Sequence, residues 1–326
     1  MGLRLATWNI EWANVLFDDD GGLLADDAPS SRHGVSRGEQ IAGIVAVLQA
    51  LDADGVMVVE APDTNGRRST VTALQTLAAH AGIRARVAVT GFPSDSEQEI
   101  AFLFDPDRMT AVHTPRASGP FPRFDGTQHG EGEPVVFSKP PLELAVQIGS
   151  QDLRLIGVHV KSKAPHGARD AADAVRIARA NRVKQLAQCR WLRGRVVDHL
   201  ERGESLIVMG DFNDGPGLDE YEAENGASGV EVVMGVLPLA LTDPAARMGL
   251  SARLGARPTT SRFWLAEEQR YFEALLDFVM VSPDLAARGP RWRIWHPFNV
   301  PEAVPLQVAL LAASDHFPVT IDLPWN

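Results

Sequence analysis

The stretch Val208 to Gly217, V-M-G-D-F-N-D-G-P-G, sets a carboxylate and an amide two residues apart at the end of an apolar run. Asp211 is a charged acceptor, and Asn213 can both accept and donate. On an extended chain, residues two apart project to the same side. The pair therefore suits a water molecule or a phosphate oxygen at the mouth of a sheet. Asp and Asn also close ordinary strands as Asx turns, so the pair alone decides nothing. Similar residues recur beside apolar runs elsewhere: Asn9 with Glu11, Glu60, His159, Asp277, and Asp315 with His316. A charged group in such a place costs free energy unless it is paired, hydrated or bound to a metal. Six such positions suggest one shared site on a sheet edge, where loops gather above a rigid scaffold.

The elements that must carry these residues follow from hydrophobic period. Leu3 to Trp8 alternates as a strand leading into Asn9, and the apolar run Gly55 to Val59 is a buried strand ending on Glu60. Gln40 to Leu51 and Thr70 to Ala81 have helical periods, with strands expected at Ala85 to Val89 and Ile100 to Phe104. Phe17 to Asp27, with five aspartates, is expected to be a solvated loop. Leu142 to Ile148 and Leu153 to Val160 form a hairpin around Gly149-Ser150, and the second strand carries His159. Ala172 to Arg202 is a long helix expected to turn Ile177, Val183, Leu186 and Val197 inward. Leu275 to Val281 is a strand holding Asp277, and Phe317 to Leu323 is entered from Ser314-Asp315-His316. Thr114 to Pro141 has no helical period, and irregular chain of that length is usually functional. The polar strand ends run from Asn9 to His316 without an intervening linker, so residues 1–326 are expected to form one domain.

Composition is that of a water-soluble globular chain, 45% hydrophobic and 22% charged. No apolar run approaches the ~20 residues that span a bilayer, and no basic-then-apolar leader precedes Leu3, so a cytoplasmic location is expected. Cys189 is the only cysteine, which excludes an intrachain disulfide and a cysteine-based metal site. The formal net charge of -11 argues against tight binding of a long polyanion but leaves a small phosphorylated substrate open.

In order along the chain, Trp8-Asn9, Glu60, His159, Gly210-Asp211-Phe212-Asn213, Asp277 and Ser314-Asp315-His316 resemble the signature of the endonuclease/exonuclease/phosphatase superfamily. Ser138-Lys139-Pro140-Pro141-Leu142 is similar to its F-x-R-P-P-L segment, with lysine in place of arginine. The resemblance spans nearly the whole chain. It implies an α/β fold, a four-layer αββα sandwich of two packed mixed sheets with helices outside. It also implies a Mg²⁺-dependent phosphoesterase (Mn²⁺ being the alternative ion), for which the oxygen donors Asn9, Glu11, Glu60 and Asp315 are suited. By the same resemblance Asp277 orients His316, Asp211 positions or deprotonates the attacking water, Asn213 holds a phosphate oxygen, and His159 stabilises transition-state charge or serves the leaving oxygen. Asp211 and the His316 pair both remain candidates for the base. Lys161, Lys163 and Arg182 are the expected phosphate contacts; Arg182 and Gln185 also loosely resemble a family helix pattern, R-x-x-Q-A, with Leu186 in place of the alanine, which implies that they brace the site. Residues Arg169 to Arg202 hold nine Lys or Arg against four acids, which suits recognition of one or a few phosphates. A small phosphodiester or monoester is the expected substrate. A nuclease of the same superfamily is the alternative, weakened by the charge and by few aromatics flanking the motifs. A catalytically inactive binding module is the third reading, and the intact motif set argues against it.

Overall fold

The computed structural model describes residues 2–115, 137–215, 226–251, 258–265 and 268–325. Most of the irregular Thr114 to Pro141 segment, at 116–136, lies outside the described residues, as do Pro216 and Gly217.

The strands in chain order are β1 (Gly2–Asn9), β2 (Gly55–Ala61), β3 (Val87–Thr90), β4 (Glu99–Phe104), β5 (Thr110–His113), β6 (Leu142–Ile148) and β7 (Gln151–His159). There follow β8 (Leu206–Asp211), β9 (Ser261–Leu265), β10 (Arg270–Ala274), β11 (Asp277–Val281), β12 (Arg291–Ile294) and β13 (Val319–Pro324). They form a six-stranded sheet in the order β12-β13-β1-β2-β4-β3 and a five-stranded sheet in the order β11-β8-β7-β6-β5, with β9 and β10 as a separate ribbon. Both large sheets are mixed: β1 runs parallel to β2 and β7 parallel to β8, among antiparallel neighbours.

Three clusters of buried side chains account for the layering. Leu3, Leu5, Met57 and Phe102 of one sheet meet Leu144, Leu155, Ile207 and Met209 of the other. The opposite faces of the same strands carry Ala6, Trp8 and Val58 under α1 (Arg37–Leu51) and α2 (Thr70–Ala81). Val158, Leu206 and Val208 lie under α3 (Ala171–Glu201). Alternation along each strand thus feeds two cores at once, which is the expected four-layer sandwich. The helices start on side-chain caps: Ser36 with Glu39 forms a capping box on α1, and Ser69 and Asp170 cap α2 and α3.

Some expectations require correction. Val183 on α3 is 45% exposed, and Ile177 and Val197 are half-buried. The inward stripe is instead built from Arg182, Gln185, Leu186, Cys189, Leu192 and Val196. Polar residues at inward positions hid the true face from a count of apolar side chains. The acidic segment after Phe17 is less solvated than expected: Phe17 and Gly21 are buried, and Phe17 bridges to Leu23, while Asp18 to Asp20 are exposed. Past Gly226, short helices at Gly229–Met234, Pro244–Ser251 and Gln307–Ala313 and the strands β9, β10 and β12 have no counterpart in the sequence reading.

Candidate active site

Strand register brings the polar ends together. On β8, Asp211 stands opposite His159 of β7 on one side and opposite Asp277 of β11 on the other. Gly210, at φ 141°, approaches the β7 backbone so closely that a Cβ there would collide with the Val158 carbonyl. β1 and β2 of the other sheet end at the same edge on Asn9 and Glu60. Glu60 sits where the β2–β4 register shifts between Val59 and Ala61, and this bulge turns its side chain out of the strand. Four of the six non-glycine residues with positive φ among the described residues are Glu11, Trp12, Glu60 and Asn213. Backbone strain is therefore concentrated at this edge, as at many functional sites.

Asn9 links the sheets. Its Nδ2 donates to Glu60 Oε1 at 3.2 Å and to Asp211 Oδ2 at 3.1 Å. The Trp12 backbone N–H donates to Glu60 Oε2 at 2.8 Å. His316 Nδ1 is 2.8 Å from Asp277 Oδ2, and its Nε2 lies 3.9 Å from both Asp211 Oδ2 and Asp315 Oδ1. Thr260 Oγ1 donates to the same Asp277 oxygen at 2.8 Å, fixing the carboxylate that orients the imidazole. His159 Nε2 lies 3.7 Å from Asp211 Oδ2, 3.8 Å from Glu60 Oε1 and 3.2 Å from Lys139 Nζ.

Burial and charge set the protonation of this cluster. Burial, with repulsion from Lys139, His316 and Lys161, holds His159 well below the usual imidazole pKa, so it is neutral at pH 7. For His316 burial acts in the same direction, but Asp277, Asp211 and Asp315 together outweigh it and raise its pKa well above the usual value. Burial, reinforced by Asp277 and Glu60 and opposed by His316, pushes Asp211 up to about 7. Asp315 is likewise pushed up to about 7 by burial and by Glu11, against His316 and Arg32. Asp211, Asp277 and His316 present ligand atoms within 4.8 Å of one another, a group that could hold a metal ion.

The expected site residues divide. Asn9, Glu60, His159, Asp211, Asp277, Asp315 and His316 lie together at the edge. Glu11 is beside them, but its Oε2 accepts from Arg32 Nη1 and from the Asp315 backbone N–H, both at 2.8 Å. Asn213, expected to hold a phosphate oxygen, directs its Nδ2 to Val160 O at 3.1 Å and Asp211 Oδ2 at 3.3 Å. Arg182 is not a phosphate contact. It is 1% exposed and its guanidinium donates to Asp214 Oδ2 at 2.7 Å. Lys163 Nζ is paired with the other oxygen of Asp214 at 2.6 Å, which leaves Lys161 as the half-buried cation of the expected three. These corrections share a cause: Asp214 is fully buried and pairs with both cations.

Gln185 of α3 has the bracing role that its motif implied. Its Nε2 donates to Lys161 O at 3.0 Å and Asn213 O at 2.9 Å, tying the chain after His159 to the chain after Asp211. Residues missed as site members include Lys139, Thr260, Arg32 and Phe263, whose ring packs edge-on to His316 with centroids 5.4 Å apart. Phe263 also corrects the expectation that few aromatics flank the motifs, since Trp264 and Tyr271 lie beside it on the β9–β10 ribbon. Only Lys139 had a sequence signal, the Pro-Pro pair that follows it.

Two packed mixed sheets with carboxylates, amides and histidines gathered at one edge define the deoxyribonuclease I-like class of phosphoester hydrolases. Residues 6–316 match the Endonuclease/Exonuclease/phosphatase family, and the chain belongs to that family. Solved structures of similar fold include TDP2 from Caenorhabditis elegans, with 12% identity over 99% of this chain and 74% of that one at a TM-score of 0.54. D. rerio TDP2, complexed with a single-strand DNA product, is similar at 12% identity over 99% of each chain with a TM-score of 0.54. ANGEL2, a 2',3'-cyclic phosphatase in complex with adenosine-2',3'-vanadate, matches at 12% identity over 99% of this chain and 95% of that one, again with a TM-score of 0.54. A search of curated proteins gave no match.

Proposed function

We propose that the chain is a divalent-metal-dependent phosphodiesterase acting on a small substrate. The observation that carries this reading is the convergence on Asp211 Oδ2 of Asn9 Nδ2 at 3.1 Å, Asn213 Nδ2 at 3.3 Å, His159 Nε2 at 3.7 Å and His316 Nε2 at 3.9 Å. Two amides hold one buried acceptor between two imidazoles, so little reorganisation is needed when charge moves. Asp211 accepts the proton of the attacking water. His316, kept charged by Asp277, offers Nε2–H to developing negative charge rather than acting as the base.

Glu60 and Asp315, with Asn9, would hold the cation, and their all-oxygen donor set fits Mg²⁺ or Mn²⁺. Glu11, engaged by Arg32, holds the Asp315 backbone and serves the cation from behind. The ion, when bound, would polarise the phosphoryl group and lower the pKa of a bound water. Asn213 positions Asp211, and Lys161 contacts a substrate phosphate.

The small substrate follows from charge. A net charge of -11, with Asp18 to Asp20 exposed, disfavours a long polyanion. A nuclease is the second reading, and one observation favours it: Phe263 beside His316 offers a face on which a base could stack. The relatives with nucleic-acid or nucleotide ligands are compatible with it. The test is turnover of bis(4-nitrophenyl) phosphate, 4-nitrophenyl phosphate and plasmid DNA with Mn²⁺, Mg²⁺ or EDTA, together with duplex binding at ~0.15 M salt. The expected result is metal-dependent hydrolysis of the diester and weak duplex binding that falls steeply with salt. Sub-micromolar duplex binding without turnover of small diesters would establish the nuclease instead, and full activity after exhaustive EDTA treatment would refute the metal requirement.

A further inference from the structure

We propose that Gln40, buried in the first turn of α1, is a positioning residue for the cation site, its one amide group fixing the three peptide units that hold Asn9, Glu60 and Asp315. This rests on the assignment of those three residues to the cation in the phosphodiesterase reading, and it adds a residue that lies outside the family signature.

Gln40 is fully buried beside the apolar side chains Ile41, Ile44 and Val47 of α1. The capping box of Ser36 and Glu39 fixes the turn on which it stands. Its Nε2 lies 3.3 Å from Ile10 O, 3.0 Å from Glu11 O and 3.1 Å from Ala313 O. Carbonyl oxygens only accept, so the amide nitrogen is the atom that faces them. Its Oε1 is buried with no hydrogen-bond partner. A buried acceptor in that state costs free energy that an apolar side chain would avoid. The position therefore uses Gln40 as a donor and not as packing.

Two of the gripped carbonyls belong to peptide units whose N–H groups hold donors of the site. A trans peptide points its N–H away from its C=O. The Ile10–Glu11 unit accepts from Gln40, and its N–H donates to Asn9 Oδ1 at 3.0 Å. The Glu11–Trp12 unit accepts from Gln40, and its N–H donates to Glu60 Oε2 at 2.8 Å. Gln40 thus orients two proposed cation donors, each across a single peptide plane. Glu11 and Trp12 are both left-handed, at φ 49° and 48°, a conformation that persists only where its surroundings over-determine it.

The third carbonyl, that of Ala313, ends the helix Gln307–Ala313 and leads into Asp315. There Ser314 Oγ donates to Asn9 O at 2.7 Å, and the Asp315 N–H donates to Glu11 Oε2 at 2.8 Å. One turn after Gln40, Gly43 brings the two helices into backbone contact: a Cβ there would lie 2.7 Å from Ala309 O and 2.9 Å from Ala313 N. α1 is therefore docked against the chain that enters Asp315, and Gln40 ties that chain to the turn at Glu11.

The experiment uses the full chain, calorimetric titration with Mn²⁺, and amide hydrogen exchange of the metal-free protein read by NMR. Gln40→Met keeps the length of the side chain and removes its donors. Leu48→Ala, about two turns further along α1 and equally inward, is the control for lost stability alone. Gln40→Met should raise the Mn²⁺ Kd on the order of tenfold, the scale for an outer partner of a metal ligand. It should also speed exchange of the Glu11 and Trp12 amides by about tenfold, because their local opening is no longer opposed. Leu48→Ala should leave the Kd within about twofold of wild type although the fold is destabilised.

A Gln40→Met Kd within about twofold of wild type, an equal rise in Leu48→Ala, or unchanged exchange at Glu11 and Trp12 would each overturn the proposal. If the wild type itself binds no Mn²⁺, the cation reading fails on that titration alone, and the amide exchange still decides whether Gln40 fixes the turn.

Discussion

Glu60 and Asp211 belong to different sheets, yet their carboxylates lie on either side of one amide group. Asn9 Nδ2 reaches Glu60 Oε1 at 3.2 Å and Asp211 Oδ2 at 3.1 Å. The packing of the two sheets is thereby converted into the spacing of two negative charges. Under the proposed function, Glu60 on one sheet serves the cation and Asp211 on the other takes the proton.

Glu60→Gln separates these parts. It removes a charge from the proposed cation site while Val56 to Val59 keep their buried packing. Mn²⁺ affinity should fall by at least about tenfold, with the melting temperature of the metal-free protein unchanged or raised. Calorimetric titration with Mn²⁺ measures this, and an unchanged Kd would remove Glu60 from the ligand set.

His316→Ala should lower kcat by on the order of 10² or more. Asp277→Asn should do the same through the orientation and charge of that imidazole, which Asp277 holds at 2.8 Å. The second variant should also lower the pKa of His316, read by NMR of the ring. A wild-type rate in either variant would return the pair to a structural role.

Asp211 and Asp315 are both pushed up to about 7. A carboxyl group whose folded pKa is raised stabilises the fold fully below its unfolded value near 3.8, and that stability is lost as pH rises through the folded value. In EDTA the melting temperature should therefore decline between about pH 4 and 7. A cation competes with these protons, so Mn²⁺ affinity should rise from pH 6 to about 7.5 and then level, with proton release on binding. A Kd independent of pH over that range would contradict the protonation pattern.

Arg182→Met should destabilise without touching substrate. Asp214 is fully buried, and losing one of its two cations leaves a poorly compensated charge. A loss of about 3 kcal/mol is expected, the low end for breaking a buried pair, because Lys163 remains. Denaturant unfolding measures it. A loss below about 1 kcal/mol would show that Lys163 alone satisfies Asp214.

What could be read from residues alone follows the reach of local rules. The helix Thr70–Ala81 and the strand Leu142–Ile148 have the expected ends, because period and caps are encoded over a few residues. The ordered polar strand ends pointed to one edge, since a carboxylate beside an apolar run is costly anywhere in a chain. Distances between side chains were not legible. Arg182 and Lys163 read as phosphate contacts because positive charge is visible in sequence, whereas the buried Asp214 that takes them depends on how α3 crosses β8. Lys139 and Thr260 gained their places through contacts with His159, 20 residues away, and Asp277, 17 residues away. Tertiary structure also decided the surroundings of His159, whose Nε2 faces Lys139, Asp211 and Glu60 from three different elements.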